Sequence, residues 1–308
     1  MNQLENHGVM FHHFHSQELQ KQIPGSITNE AFEQIIRKLM KNICDPLEWL
    51  YNYKENSLTQ GQICLTFDDA LLCQIEIALP ILNKYKVKAF WFVYSSVLED
   101  EIENLEIYRY FRSKFFENFN SFFIEFKRMA DGYISLPSLT DLSLKITEKR
   151  NDYTFYSPEE AYFRILRDEY ITNNLYDKIM HTMIKSKKVN IRSIAEEIWM
   201  KKENVHNLHK SGHIVGLHGY NHPTSMKSLS YDDQKSQYER NFNSLAKITG
   251  ENPFCMSHPN NSFTESTLLI LKDLGIKFGF CSNLRGKVSD LTLPRIDHTD
   301  LLRQLKIN

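Results

Sequence analysis

The chain has 308 residues, 42% hydrophobic and 24% charged, a balance that excludes a disordered protein and supplies enough apolar mass for a large core. Its 37 basic and 38 acidic residues nearly cancel, so no global field draws it to nucleic acid, and the lysines at 185–188 and 201–202 read as solvated helix faces. No run reaches the ~18 apolar residues of a membrane span. Residues 1–8 are polar and lack a secretory leader, so the expected location is the cytoplasm.

In chain order, residues 8–13 and 62–67 are β-branched or aromatic runs that predict buried strands. Between them a Pro24-Gly25 turn precedes Phe32, Ile35, Ile36, Leu39 and Met40 at helical spacing. The rhythm continues with Ile75, Ala78, Leu79, Leu82 and Tyr85 on one helical face, then an apolar run at 87–94 suited to a parallel strand covered on both sides. From 95 to 207 the texture changes to long, charged, aromatic-rich helical stretches. Among them Ser157-Pro158-Glu159-Glu160 predicts a helix start in which Ser caps, Pro takes the first position and Glu closes the box.

This interval reads as a helical insertion within one domain spanning 1–308, with an independent helical domain as the alternative. Alternation then resumes with a strand at 213–217 and a helix from Ser230 presenting Tyr238, Phe242, Leu245 and Ile248. After a break at Asn252-Pro253 come a strand at 254–257, a helix at 264–274 closed by Gly275, and strands at 277–281 and 293–296. Such alternation predicts a parallel sheet, open or closed into a barrel. The cysteines at 44, 64, 73, 255 and 281 are odd in number and form no CxxC pair, which predicts reduced, buried thiols.

In parallel α/β folds the chemistry gathers where strands end. Thr66-Phe67-Asp68-Asp69 follows one apolar strand, and two adjacent carboxylates there are costly without a compensating cation. Taken alone, one Asp capping a helix explains them equally well. His218-Gly219-Tyr220-Asn221-His222-Pro223 follows another strand, and its Gly and Pro predict a loop, not a helix. A hydrogen-bonded pair of buried imidazoles is the simpler account of HxxxH in a chain with 12 histidines. Both clusters at strand ends, however, offer two imidazoles and a carboxylate for a metal, zinc suiting them best, with a second carboxylate left as base.

These residues carry a resemblance. Residues 66–70, TFDDA, are similar to the TFDDG motif of the polysaccharide deacetylase (NodB-like) superfamily, a carbohydrate esterase group, and 218–223, HGYNHP, to its HSxxHP motif. The resemblance covers the β/α portions on either side of the insertion, about two thirds of the chain. It implies a distorted (β/α)7 barrel, with Asp68 as base and Asp69, His218 and His222 as metal ligands. Val9-Met10-Phe11-His12 resembles the family's first strand and places His12 near the site. Leu293-Pro294-Arg295-Ile296 resembles the late strand whose Arg orients the base, so Arg295 takes that role.

Two motifs depart from the pattern. Ser257-His258-Pro259-Asn260 stands where many members have RxPY, leaving His258 and the Asn260 backbone N–H as candidates for substrate and oxyanion binding. The LxH motif that supplies a general acid has no clean counterpart; His298 lies near its place, with His12 and His258 as rivals. Ala70 replaces a Gly, a minor change.

The resemblance implies a metal-dependent hydrolase that removes an N-acyl group, an acetyl foremost, from an amino sugar or glycan precursor. The alternatives are a small-molecule amidase of the same fold and a noncatalytic glycan-binding member. The insertion is expected to restrict access as a cap. No partner beyond the substrate is implied, and the oligomeric state is left open.

Overall fold

The computed structural model describes residues 6–19, 22–23, 25–152, 156–285 and 287–307. Residues 1–5 of the polar N-terminal stretch, and Pro24 of the expected turn, lie outside the described residues. The chain divides into two compact units, one of 1–20, 25–101 and 199–308, the other of 21–24 and 102–198. Residues 95–101 and 199–207, inside the expected insertion interval, group with the first unit.

The first unit is a distorted (β/α)7 barrel. Its strands are β1 (His7–Phe11), β2 (Ile63–Asp68), β3 (Phe90–Val93), β4 (Ile214–Leu217), β5 (Cys255–Ser257), β6 (Phe278–Phe280) and β7 (Arg295–Asp297). All pair in parallel, in the order β6-β5-β4-β3-β2-β1-β7. A single bridge between Phe280 and Leu293 nearly closes the ring.

The last strand therefore begins two residues later than the sequence predicts. Pro294 has no N–H to give to a ladder and separates Leu293, which pairs with β6, from Arg295, which pairs with β1.

Around the barrel run α1 (Asn29–Leu39), α2 (Pro46–Lys54) and α3 (Leu79–Tyr85). Sequence periodicity passes over α2, because only Pro46, Trp49 and Leu50 of its nine residues are buried. Its local signal is the Asp45 cap followed by Pro46 at the first position.

The face predicted over 75–85 is also shifted. Gln74–Ala78 forms a π-helical turn ahead of α3, and its extra residue moves the buried set to Gln74, Ile77, Ala78, Ile81 and Leu82. The polar Gln74 is thereby carried inside.

Along β2 the side chains alternate. Ile63, Leu65 and Phe67 point one way, and Phe67 stacks on Trp91 of β3 at 4.4 Å. Cys64, Thr66 and Asp68 point the other, toward the barrel interior, where Cys64, Phe90, Phe92, Cys255, Phe280 and Leu293 form one core cluster. Close packing there requires glycine. A Cβ at Gly216 would lie 2.6 Å from the Cys255 carbonyl oxygen, and one at Gly8 would lie 2.9 Å from Arg295 Cγ. All five cysteines are buried and none forms a disulfide.

His213, at the entrance of β4, is a buried imidazole with a measurable consequence. Its Nδ1 accepts from the Ala89 N–H at 3.2 Å, so its proton sits on Nε2, which has no partner among the described residues. Burial first, and Lys88 next, push its pKa down to about 4.

The unfolded imidazole takes a proton near pH 6.5, before the folded one does. The stability this residue contributes is therefore complete above about pH 6.5 and erodes as the pH falls toward about 4, by roughly 3 kcal/mol in all. In His213→Asn an amide oxygen can replace Nδ1 as acceptor without titrating. Urea unfolding from neutral pH down to about pH 4.5 is expected to show a shallower stability loss for this variant than for wild type. Parallel profiles would contradict the assignment.

The second unit contains α4 (Asn104–Phe115), α5 (Phe119–Ala130), α6 (Ser143–Asp152), α7 (Pro158–Ile165), α8 (Asn173–Ser186) and α9 (Ile191–Ile198). The start of α7 has the predicted chemistry. Ser157 Oγ accepts from the Glu160 N–H at 3.1 Å, and Glu160 Oε2 accepts from the Ser157 N–H at 3.4 Å. Its core is built from rings, Phe163 meeting Phe122 edge to face at 5.4 Å and Phe126 at 5.0 Å.

Candidate metal centre

Residues at the ends of four barrel strands, β1, β2, β4 and β5, make up the site. Asp68 is the last residue of β2, Asp69 follows it, His218 follows β4, Ser257 ends β5 and His12 lies just past β1. Asp69 has φ 80° and Ala70 φ 54°, so the backbone turns sharply through left-handed conformations as it leaves the strand. The Asp69 N–H is held by the Phe92 carbonyl at 3.2 Å and the Ala70 carbonyl by the Met200 N–H at 2.9 Å. Those bonds secure a bend that L-residues disfavour by roughly 1–2 kcal/mol each.

Asp69 Oδ1 lies 3.3 Å from His218 Nε2 and 3.4 Å from His222 Nε2. Ligands about 2.1 Å from a tetrahedral cation stand roughly 3.4 Å from one another. The observed spacing therefore fits a divalent ion without rearrangement. Asp69 Oδ1 is buried and has no hydrogen-bond partner among the described residues, an acceptor that such an ion would satisfy.

Each ligand is braced. His218 Nδ1 faces the Ser257 carbonyl at 3.0 Å and the Ser257 hydroxyl at 2.7 Å. Because a carbonyl only accepts, the proton sits on Nδ1 and Nε2 turns its lone pair to Asp69. The His218 backbone N–H donates to Asn241 Oδ1 at 2.9 Å. His222 takes a left-handed backbone, φ 50°, and lies 5.4 Å from the Tyr94 ring, which meets Trp199 edge-on at 5.5 Å. Trp199 pairs with Leu71 in an isolated bridge beside the Asp69 bend.

Asp68 is held differently. Arg295, with no exposed surface, grips it with two hydrogen bonds of 2.8 Å. The same guanidinium donates to Thr66 Oγ1 at 3.0 Å and to the Cys281 carbonyl at 2.8 Å. Ser257 Oγ reaches Asp68 Oδ2 at 3.3 Å, and the Gln74 amide donates to the carbonyls of Asp68 at 2.6 Å and His12 at 2.9 Å.

Charge follows geometry. Burial alone would raise the Asp68 pKa, but Arg295 and then His218 outweigh it and hold the carboxyl below its usual value. Asp69 is likewise opposed by burial and pulled well below the ordinary carboxylate range by His222, His218 and His12. Burial dominates at His222 and pushes it down to about 4, which leaves it neutral and able to ligate. At His218 burial is overcome by Asp68 and Asp69, which raise the pKa.

The other expected residues fall in distinct places. His12 Nε2 lies 3.9 Å from Asp69 Oδ2, with 27% of its side chain exposed. His298 is buried, stacks on Phe11 at 5.6 Å and stands 3.6 Å from Asp297 Oδ1. His258 donates from Nε2 to the Leu291 carbonyl at 2.8 Å and stacks on Phe263, and burial pushes its pKa down to about 4. Asn260 is exposed, with φ 50°, in the turn whose Pro259 lies 3.5 Å from where a Gly219 Cβ would stand.

Sequence reasoning assigned no role to Ser257, Thr66, Gln74 or Asn241, although Thr66 and Ser257 lie within the motifs it singled out.

Comparison with known proteins identifies the fold and the family. The chain is similar in fold to a deacetylase, PplD, from Streptococcus pyogenes solved with acetate, at 17% identity and a TM-score of 0.56 over 96% of this chain and 92% of that one. It also resembles a de-N-acetylase from Aggregatibacter actinomycetemcomitans, at 13% identity and a TM-score of 0.56 over 94% of each chain. IcaB from Ammonifex degensii aligns at 15% identity and a TM-score of 0.55, covering 95% of this chain and 91% of that one. No curated protein matches. The polysaccharide deacetylase family profile matches residues 55–131 and 168–279, more than half of the sequence and both motif-bearing strand ends. The chain belongs to the polysaccharide deacetylase family.

Proposed function

We propose that the chain hydrolyses an N-acyl group, an acetyl foremost, from an amino sugar or glycan precursor, using a divalent metal held by Asp69, His218 and His222. The observation that carries this reading is the orphaned Asp69 oxygen facing two imidazole nitrogens at ligand spacing, beside a second, ionised carboxylate. Zinc suits a set of two imidazoles and one carboxylate best, and when bound it supplies acidification of water and polarisation of an acyl carbonyl.

The chain's own groups do the rest. Asp68, kept ionised and oriented by Arg295, accepts the proton of the attacking water on a carboxylate oxygen. Ser257 links the two halves of the site, accepting from His218 Nδ1–H and donating to Asp68 Oδ2. Protonation of the departing nitrogen falls to His12, which is partly exposed beside Asp69, whereas His258 is committed to Leu291 and His298 is buried. The Asn260 N–H, in the turn packed on the Gly219 loop, serves the developing oxyanion.

The test is acetate release from N-acetylglucosamine oligomers by zinc-loaded protein. Asp68→Asn is expected to lower the rate by about 10²–10⁴-fold with metal content unchanged. Ammonia release from small amides with no acetate would point to an amidase, and full metal content without any hydrolysis would end the catalytic reading.

A further inference from the structure

The loop that carries both histidines is gripped from one helix. In Tyr231–Thr249, Gln237 and Asn241 are four residues apart and so share a face. Asn241 accepts the His218 N–H at 2.9 Å, and its amide donates to the Val93 carbonyl at the end of β3, 3.0 Å away. Gln237 acts further along the loop. Its Oε1 accepts from the Tyr220 N–H at 3.0 Å and from the Asn221 N–H at 3.1 Å.

This stretch of backbone needs such support. Gly219 has φ 75° and His222 φ 50°, so the chain passes through left-handed conformations on both sides of Tyr220 and Asn221. Glycine adopts them freely, but His222 is disfavoured there and stays only where its neighbours are fixed.

Tyr220 is tied at every polar group. It is buried, its carbonyl accepts from the Ser96 N–H at 2.8 Å, and its hydroxyl donates to Glu101 at 2.7 Å with Glu99 at 3.0 Å. The Arg240 guanidinium lies 3.4 Å from its ring centre. Asn221, directly before His222, is exposed, and its N–H meets the Gln237 oxygen.

We propose that Gln237 is a positioning residue for the metal centre, its side-chain oxygen holding two successive N–H groups so that His222 Nε2 is aimed at Asp69 Oδ1, 3.4 Å away, in advance of metal binding. The inference rests on the reading of Asp69, His218 and His222 as ligands. A loop ordered at folding has no ordering left to do when the ion binds, so Gln237 strengthens binding without touching the metal.

Zinc affinity of the full chain, measured by competition with a chelator under native conditions, tests this. Gln237→Met keeps the length and helix propensity of the side chain but loses the oxygen, and should weaken zinc binding by about 10–100-fold. Gln237→Glu keeps an oxygen acceptor for both N–H groups and should stay within about threefold of wild type.

Gln234→Met controls for a merely structural role. Gln234 is buried on the same helix, accepts from the Thr267 hydroxyl and donates to the Leu229 carbonyl at 3.0 Å, outside the loop 218–222. Its loss should lower stability in urea and leave zinc affinity at the wild-type value.

Unchanged zinc affinity in Gln237→Met, or an equal fall in Gln234→Met, would overturn the positioning role while leaving the three ligands in place. Wild type that takes up no zinc would instead remove the metal reading, and this inference with it. Should Gln237→Met fail to fold, Gln237→Glu decides by itself, a fall of about tenfold or more with the acceptor retained counting against the role.

Discussion

Replacing Arg295 by methionine is expected to destabilise the barrel by about 3–5 kcal/mol in urea unfolding at neutral pH. Arg295 and Asp68 expose 0% and 2% of their side chains, so neither has water to fall back on. Without the guanidinium, Asp68 keeps only the Ser257 hydroxyl as a side-chain donor, while Thr66 Oγ1 and the Cys281 carbonyl lose theirs. Breaking one half of a buried pair costs more than removing both, because a lone charge remains in a low-dielectric interior. The double variant Asp68→Asn/Arg295→Met should therefore recover part of the loss.

The pH dependence has a definite sign. In wild type the folded Asp68 pKa is depressed, so its contribution is present above about pH 4 and lost below, as the carboxylate is protonated. In Arg295→Met burial acts unopposed by the guanidinium and raises that pKa. The penalty of the variant should then shrink as pH falls from about 8 to about 5 and Asp68 takes up a proton. A penalty under about 1 kcal/mol at neutral pH would mean that the pair is not sealed from solvent as described.

The second large effect is loss of metal from His222→Ala. With one of three ligands gone, affinity for zinc should fall by more than about 100-fold, since even partners that only orient a ligand are worth about 10–100-fold. His222 retains 21% exposure and Asp69 and His218 keep their supports, so the variant is expected to remain folded. Metal analysis of the purified proteins reads the result, wild type near one equivalent and the variant near none. Stoichiometric zinc in the variant would remove His222 from the centre and with it the proposed mechanism.

Much of this was legible in the sequence, for local reasons. Phe67-Asp68-Asp69 and His218 to His222 stand out only as a pair, because two apolar strands run straight into carboxylates and imidazoles at the sheet edge where α/β folds gather their chemistry. The alternation of strands and helices, the Ser157 cap and the Gly275 stop are likewise written within a few neighbouring residues. The resemblance added Arg295 and the curling of the sheet into a distorted (β/α)7 barrel, which spacing alone leaves open.

What only the tertiary structure decided was which polar groups meet. Arg295 reaches Asp68 across 227 positions, and Ser257 reaches it across 189. Periodicity reports that a face is buried, not what it is buried against. Gln74 was hidden by a π turn that shifts the helical phase by one residue. Local sequence specifies secondary structure through short-range sterics and hydrogen bonds. The partners of a buried charge depend on chain closure between distant strands, and that is where this site acquires its electrostatics.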